Sequence, residues 1–410
     1  MTIPSQAERI AAPFLLREVA QHTALVFAST LAIQATTFAI LALAALLLPI
    51  GDFARLSLIV AATMLANGLF ELGLNLTSTK MYGDTRDEAF LRTAFLIRLL
   101  CVPVGCLLGL AVALGWGATD IGLGVGLGAA LNLWNGIRAS DQARQDYRSF
   151  VTASLAFAAL RAVAGLGVLY AARDPVLTAV AIYALPIAGA VFSASARYTA
   201  EAFTGARRPV GDMLWYATHV YLTALAFIAI PYVPQFVIAS RLDATAVGTY
   251  GLILTFTGPI SLLVYALRSV LLPKMLGGGS RFEDMLWSWR GLLAIIAMWT
   301  LLMTGGVLLG YGLEKFYADK FPGIGSAFLI FFLGFSATAM IGLYSLSVHT
   351  LGMPQISTAI ALAKVAALLV LLQLTGSTLR DVIVLTAIVM VAGGVALAAL
   401  LATRRYGMAS

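Results

Sequence analysis

Long apolar runs repeat along almost the whole chain, and they restrict its fold more than any other sequence feature. They begin near residue 22 and end near residue 403, and each is close to the ~20 residues that a helix needs to cross ~30 Å of hydrocarbon. Only helices and closed barrels satisfy their backbone groups in lipid, and these runs are too long and too evenly apolar for barrel strands. Only 11% of the residues are charged, against about 25% in soluble domains. The sequence therefore predicts an all-α polytopic membrane protein.

The apolar runs predict about twelve transmembrane helices, arranged as two lobes of six. The N-terminal lobe (1–197) has its spans at 22–46, 54–77, 90–115, 120–140, 147–171 and 175–197. The C-terminal lobe (213–410) has its spans at 213–239, 246–272, 289–312, 322–350, 354–374 and 381–403. A polar segment, 198–212, is predicted to be a cytoplasmic hinge between the two lobes.

Basic residues indicate the orientation of these spans. Lys and Arg concentrate in the loops that follow the even-numbered spans, for example at Lys80, Arg86 and Arg144. Because short cytoplasmic loops collect Lys and Arg, we expect both termini in the cytoplasm. The basic residues are otherwise scattered, which argues against a nucleic-acid partner. The loops are too short for the large external domain of many membrane enzymes that act on sugars, so we expect a transporter rather than an enzyme.

Three basic residues lie well inside predicted spans, away from the ends. Arg161 is at the centre of span 5, too deep to snorkel, so it is expected either to bind a phosphate or acidic sugar or to pair with a backbone carbonyl or polar neighbour. Lys364 is at mid-depth in span 11, where it attracts anionic cargo, takes part in proton coupling or is simply hydrated. Arg98 lies in the cytoplasmic half of span 3, where snorkelling to the surface is favoured over cargo binding.

Glu71 is the main acidic residue at depth, and Asn67 and Asn75 lie one turn away on either side of it. A carboxylate at this position either neutralises an arginine or binds a coupling cation. The alternative is a salt bridge to the cytoplasmic loop, which the sequence slightly favours.

Span 7 is predicted to be the gating helix. Pro231 and Pro234 remove two backbone donors, so they predict a kink that is either a gate or a static bend. His219 and Gln235 lie on the same span, and Gln34 is the polar residue in the middle of span 1. These three side chains are candidates for lining a common cleft.

The segment GLGVGLGA, residues 122–129, matches a dinucleotide-binding pattern only by chance. No strand precedes it and no acidic residue follows at the required distance. We therefore expect small-residue packing positions, and no cofactor or metal site anywhere in the chain. The four glycines concerned are Gly122, Gly124, Gly126 and Gly128.

Three stretches carry a resemblance to a known family: LPIGDFARLSL followed by LFELGLNLTSTKMYG (48–83), RASDQARQDYRSFVTASLAFAALRAVAGLGVLY (138–170) and QFVIASRLDATAVGTYGLILTFTGPISLLVYALRSVLLPKM (235–275). In their order and spacing they resemble the Wzx-type O-antigen flippases, the polysaccharide transporter branch of the multidrug/oligosaccharidyl-lipid/polysaccharide (MOP) superfamily. The glycine and tyrosine usual in the first repeat are Ala54 and Leu56 here, whereas Gly248 and Tyr250 keep them in the second.

The resemblance implies a V-shaped bundle, like that of multidrug and toxic compound extrusion (MATE) transporters, which opens alternately to each side. It also implies a place in a bacterial inner membrane and a cargo on an undecaprenyl-diphosphate-type anchor. That lipid-linked oligosaccharide is moved to the outer leaflet for lipopolysaccharide, envelope or exopolysaccharide synthesis. Partners would be the lipid bilayer, a polysaccharide polymerase and chain-length proteins.

Two other functions compete with the flippase. A cation-coupled multidrug exporter needs acidic cavity residues, for which Glu71 is the main candidate. A polymerase or glycosyltransferase needs a large external loop with paired arginines or a cytoplasmic acidic motif, and the sequence has neither.

Overall fold

A computed structural model describes the backbone of residues 6–204, 210–258, 284, 286–346 and 354–407. Within these ranges every regular element is helical, which confirms the predicted all-α class. Seven helices precede the predicted hinge: α1 (Gln6–Leu47), α2 (Ile50–Glu71), α3 (Leu74–Thr85), α4 (Glu88–Trp116), α5 (Thr119–Ala143), α6 (Tyr147–Ala171) and α7 (Pro175–Thr204).

Six long helices are described after the predicted hinge. They are α8 (Val210–Arg241), α9 (described over 244–258), α10 (Trp289–Tyr317), α11 (Ile324–Ile341), α12 (Pro354–Thr375) and α13 (Leu379–Gly407). A short 3₁₀ turn, Gly342–Leu346, extends α11. Both ends of the predicted hinge belong to helices, because α7 continues to Thr204 and α8 begins at Val210. Its centre, 205–209, and the rest of predicted span 8, 259–272, lie outside the described residues.

Nine helices in the described part are long and apolar enough to cross a membrane. Three predicted spans fall outside this group: those on α5 and α7, and span 8, of which only 246–258 is described. The apolar part of α7 is shorter, Pro175–Gly189, and α5 carries more polar residues because much of its surface packs inside the bundle rather than against lipid.

Close backbone approach explains why α5 is glycine-rich. A Cβ on Gly124 would lie 2.7 Å from Ile59 O, and one on Gly128 would lie 2.5 Å from Thr63 O, so α2 leaves no room for a side chain. A Cβ on Gly122 would lie 2.3 Å from the carbonyl of Gly109 on α4. The predicted packing role is thus confirmed for three of the four glycines. The exception is Gly126, where the nearest atom is at an ordinary 3.8 Å.

The two halves meet at the end of the bundle that the charge pattern predicts to be external. Tyr317 Oη donates to the carbonyl of Ala42 at 3.1 Å. Lys320 Nζ donates to the last carbonyls of α1, including that of Leu48 at 3.0 Å. These carbonyls have no partner within their own helix, so a lysine from the second half caps a helix of the first.

Candidate functional site: a broken helix and three intramembrane cations

The second predicted span is interrupted, which corrects the expectation of one helix over 54–77. Helix α2 ends at Glu71, Leu72 and Gly73 take left-handed conformations (φ 51° and 68°), and α3 starts at Leu74. Glycine adopts this conformation at little cost and commonly ends helices, whereas leucine is strained there. The break therefore brings the ends of two helices together inside the bundle, beside the only carboxylate that the sequence places deep in this span.

Asn75 links the two charged residues at the break. Arg98 Nη2 donates to Asn75 Oδ1 at 2.7 Å, and the amide group and backbone N–H of Asn75 lie within hydrogen-bonding reach of the Glu71 carboxylate. Arg98 and Glu71 also attract each other electrostatically. Of the alternatives for Glu71, neutralisation of an arginine is what this geometry supports, rather than a salt bridge to the loop.

Arg98 does not snorkel, and that expectation was wrong. Its side chain is 0% exposed, and its Nε and Nη1 atoms have no hydrogen-bond partner among the described residues. The cause lies on α5, where Gly136 leaves space for the arginine stem: a Cβ there would lie 2.3 Å from Arg98 Cδ. The sequence signal was a glycine next to Asn135 and one turn from Asn132, on a helix that already carries many glycines.

Two asparagines of α5 complete the polar cluster, and sequence reasoning missed both. Asn132 Nδ2 donates to the carbonyl of Phe70 at 2.8 Å, and Asn135 Nδ2 donates to Asn67 Oδ1 at 3.0 Å. The last carbonyls of a helix lack intrahelical partners, so Asn132 replaces a bond that the interruption of α2 removes. An amide side chain inside an apolar span is the sequence signal that would have identified these asparagines.

The break also lies against the second half of the chain. Tyr221 Oη, on α8, donates to the carbonyl of Leu69 at 3.0 Å. A Cβ on Gly73 would lie 2.8 Å from Ala217 O, also on α8. A movement of α8 relative to the first half would therefore act directly on the break.

Arg161 is buried, at 4% exposure, and its guanidinium donates hydrogen bonds to groups of the protein itself. Its Nε donates to the carbonyl of Ile182 at 2.9 Å and its Nη1 donates to Thr37 Oγ1. Its guanidinium carbon lies 4.5 Å from the Phe157 ring centroid and 5.3 Å from that of Tyr183. Pairing with a carbonyl and polar neighbours is therefore the arrangement in this conformation, and cargo binding by Arg161 stays a prediction.

Arg138, near the end of predicted span 4, is a second arginine of this interior, and sequence reasoning missed it. Its Nε donates to Ser154 Oγ and its Nη2 to Thr30 Oγ1, both at 3.1 Å. Thr30 and Thr37 are seven residues apart on α1, with Gln34 between them, so all three lie on one face of that helix. This face of α1 covers both arginines, and Gln34 itself is exposed.

Lys364 takes the corresponding place in the second half. Arg161 lies on α6 and contacts α1 and α7, whereas Lys364 lies on α12 and contacts α8 and α13. Its Nζ is 5.6 Å from the Phe227 ring centroid, and a Cβ on Gly393 would lie 2.1 Å from its Cδ. The ammonium faces a small cavity of about 30 Å³.

The remaining candidates on α8 do not join these cations. Gln235 is 1% exposed and donates to Ser57 Oγ of α2 at 3.0 Å, so it joins the two halves. Pro231 and Pro234 lie inside α8, and the carbonyl of Pro231 accepts a bond from Tyr250 Oη at 2.9 Å. The side chain of His219 lies outside the described residues, and whether the prolines form a gate stays a prediction.

Comparison with known proteins identifies the fold. No family model matches the sequence, and no curated protein matches it. Three solved MATE structures align with nearly the whole chain. An inward-facing multidrug resistance transporter of the MOP superfamily covers 91% of this chain and 94% of its own (TM-score 0.66, 14% identity). An outward-facing one covers 96% of each chain (TM-score 0.61, 12% identity). A mutant of the Vibrio cholerae transporter VcmN covers 96% and 98% (TM-score 0.60, 13% identity).

At these identities the likeness shows the fold alone. The chain has the all-helical fold of MATE transporters, as the resemblance implied. The flippase branch named from the sequence stays a prediction.

Proposed function

We propose that this protein is a transporter of the MOP superfamily that moves a lipid-linked oligosaccharide across a bacterial inner membrane by alternating access. Both termini face the cytoplasm in this proposal, and the cargo travels to the outer leaflet on an undecaprenyl-diphosphate-type anchor. The MATE-like fold supports a transporter, because solved structures with this fold include inward-facing and outward-facing forms.

Positive charge inside the membrane is the observation that favours an anionic cargo. The contacts of Arg161 are a carbonyl, a hydroxyl and two aromatic rings, all neutral, and the charged group that acts on it among the described residues is another arginine, Arg138. A cation at this depth costs at least ~2.5–3.5 kcal/mol on insertion scales. A protein interior that keeps two neighbouring arginines at such a cost is suited to a diphosphate, whose oxygens guanidinium groups bind bidentately.

The position of α1 suggests how the diphosphate reaches these arginines. Thr30 and Thr37 occupy donors of Arg138 and Arg161, and hydroxyls are weaker acceptors for a guanidinium than phosphate oxygens are. A small displacement of α1 exchanges these neutral acceptors for the cargo, with the exposed Gln34 beside it. Arg98 is fully buried and Lys364 is only partly exposed in this conformation, so their proposed part is to bind cargo after a larger rearrangement.

The test is flipping in proteoliposomes that contain a fluorescent undecaprenyl-diphosphate oligosaccharide. We expect Arg161→Gln and Arg138→Gln to lower the flipping rate at least about tenfold, the factor that corresponds to ~1.4 kcal/mol. The matched control is Arg380→Gln, an exposed arginine at the predicted external end. Each variant is first checked for a wild-type thermal midpoint. A wild-type flipping rate in both Arg161→Gln and Arg138→Gln would then refute the proposal.

A second candidate, the cation-coupled exporter, is favoured by one observation. Glu71 is a half-buried carboxylate at the break between α2 and α3, and this break contacts α8 of the second half. A coupling site needs such a contact, because cation binding must affect the movement of one half relative to the other. This function predicts efflux of a cationic dye, and Glu71→Gln would abolish the efflux without changing flipping. The proposal also includes a polysaccharide polymerase and chain-length proteins as partners, which co-purification from the native membrane would test.

A further inference from the structure

A small cavity lies inside the second half of the bundle, away from the contacts between the two halves. The residues around it belong to α8, α11, α12 and α13 and to the turn after α11. Its polar side chains are Lys364, Thr338 and Ser357. The cavity, called here the chamber, is therefore lined by residues of the second half alone.

Two polar groups in this chamber lack a conventional partner. Thr338 Oγ1 is buried without a hydrogen-bond partner among the described residues. Lys364 Nζ lies 5.6 Å from the centroid of the Phe227 ring. Its ammonium is partly removed from water by burial. A cation–π contact offsets only part of the cost of a charge inside a membrane. Lys364 and Thr338 thus line one cavity, and among the described residues neither the ammonium nor the hydroxyl has an anionic or hydrogen-bonding partner.

The size and charge of the chamber define its ligand. A cavity needs about 10–15 Å³ of probe volume to hold a water molecule, so about 30 Å³ accepts one small ion and excludes a sugar or a diphosphate. Lys364 requires that ion to be negative, and hydroxyl groups donate to anions. We propose that the chamber binds a single inorganic anion of halide size, with Lys364 as its charge partner and Thr338 as a hydrogen-bond donor.

In this conformation the bound anion would neutralise Lys364 and allow it to remain charged in the bundle. This inference does not rest on the proposed cargo, because the chamber is lined by the second half of the chain and its volume of about 30 Å³ is smaller than any lipid headgroup. Loss of flipping and loss of anion binding are therefore separate results.

The experiment uses the full chain, purified in detergent, at constant ionic strength with chloride or bromide exchanged for gluconate. Chloride and bromide should raise the thermal midpoint of the wild type, and the apparent chloride Kd should weaken at least tenfold in Lys364→Met and several-fold in Thr338→Val. The matched control is Lys315→Met, an exposed lysine near the end of α10, which should keep the wild-type response.

Two outcomes would overturn the inference. One is a wild-type thermal midpoint that is the same in chloride and gluconate. The other is a halide response that Lys364→Met leaves unchanged. Thr338→Val preserves shape and the lysine, so it separates loss of a donor from misfolding. Bromide anomalous scattering next to Lys364 Nζ would locate the ion directly.

Discussion

Replacing Gly73 with alanine tests whether the break between α2 and α3 holds the two halves in contact. The new Cβ would lie 2.8 Å from Ala217 O and 3.1 Å from Ala217 Cβ, so α8 must move by several tenths of an ångström. The left-handed conformation of Gly73 (φ 68°) costs an alanine about 1–2 kcal/mol. Overpacking adds about 1–3 kcal/mol, and the lower entropy of the unfolded chain returns about 0.4–1 kcal/mol.

The expected net effect of Gly73→Ala is a loss of about 2–4 kcal/mol of unfolding free energy, measured by equilibrium unfolding in mixed detergent micelles. Gly83, in the same short helix α3, is the matched control. It has no atom within 4 Å of its Cβ position and no positive φ, so Gly83→Ala should leave stability unchanged or raise it by up to ~1 kcal/mol. Equal effects of the two substitutions, or wild-type stability of Gly73→Ala, would refute the reasoning.

Three further substitutions test individual contacts. Gly136→Ala should lower the free energy of unfolding by about 1–3 kcal/mol because its Cβ displaces the buried Arg98. Gly167→Ala is the control, since nothing lies within 4 Å of its Cβ position, and it should not lower stability. Comparing the thermal midpoints of the two variants tests this prediction. Asn132→Leu should cost about 1–3 kcal/mol by leaving a carbonyl at the end of α2 unsatisfied, so an unchanged unfolding curve would contradict the repair of that helix end. Lys320→Met should remove the cap of α1 and loosen the contact between the two halves at the predicted external end. A cysteine introduced into the α1–α2 loop should then react faster with a thiol reagent than it does in the otherwise wild-type protein.

Hydropathy located the helices because lipid imposes a simple rule on the sequence. Backbone groups in the membrane must bond within their own helix, so a run of about twenty apolar residues specifies a span wherever it occurs. The same reasoning failed at Leu72 and Gly73, where α2 stops although the apolar run continues. Asn132, from a distant part of the chain, bonds to a carbonyl left free there, and a local window of sequence does not contain that partner.

The candidate site was predictable in its residue types but not in its pairings. Arg98, Arg161, Lys364 and Glu71 stood out because ionisable residues are costly in a membrane and are rarely retained without a role. Depth along a helix suggested that Arg98 reaches the surface, yet a glycine on α5 admits its side chain to the interior. Arg138 did not stand out because it lies near the end of an apolar run, and only the packing of α1 and α6 shows that its guanidinium bonds within the bundle.

The sequence by itself determined the all-helical class, the approximate positions of the spans and the identities of the charged residues inside them, because each follows from the cost of exposing polar groups to hydrocarbon. The tertiary structure alone decided which of those charges are satisfied. Arg161 is bonded by α1 and α7, Arg98 shares Asn75 with Glu71, and Lys364 faces a cavity. Hydrogen bonds and Coulomb interactions act over a few ångströms in a medium of low dielectric constant, so the outcome depends on neighbours that lie tens of residues away in the chain.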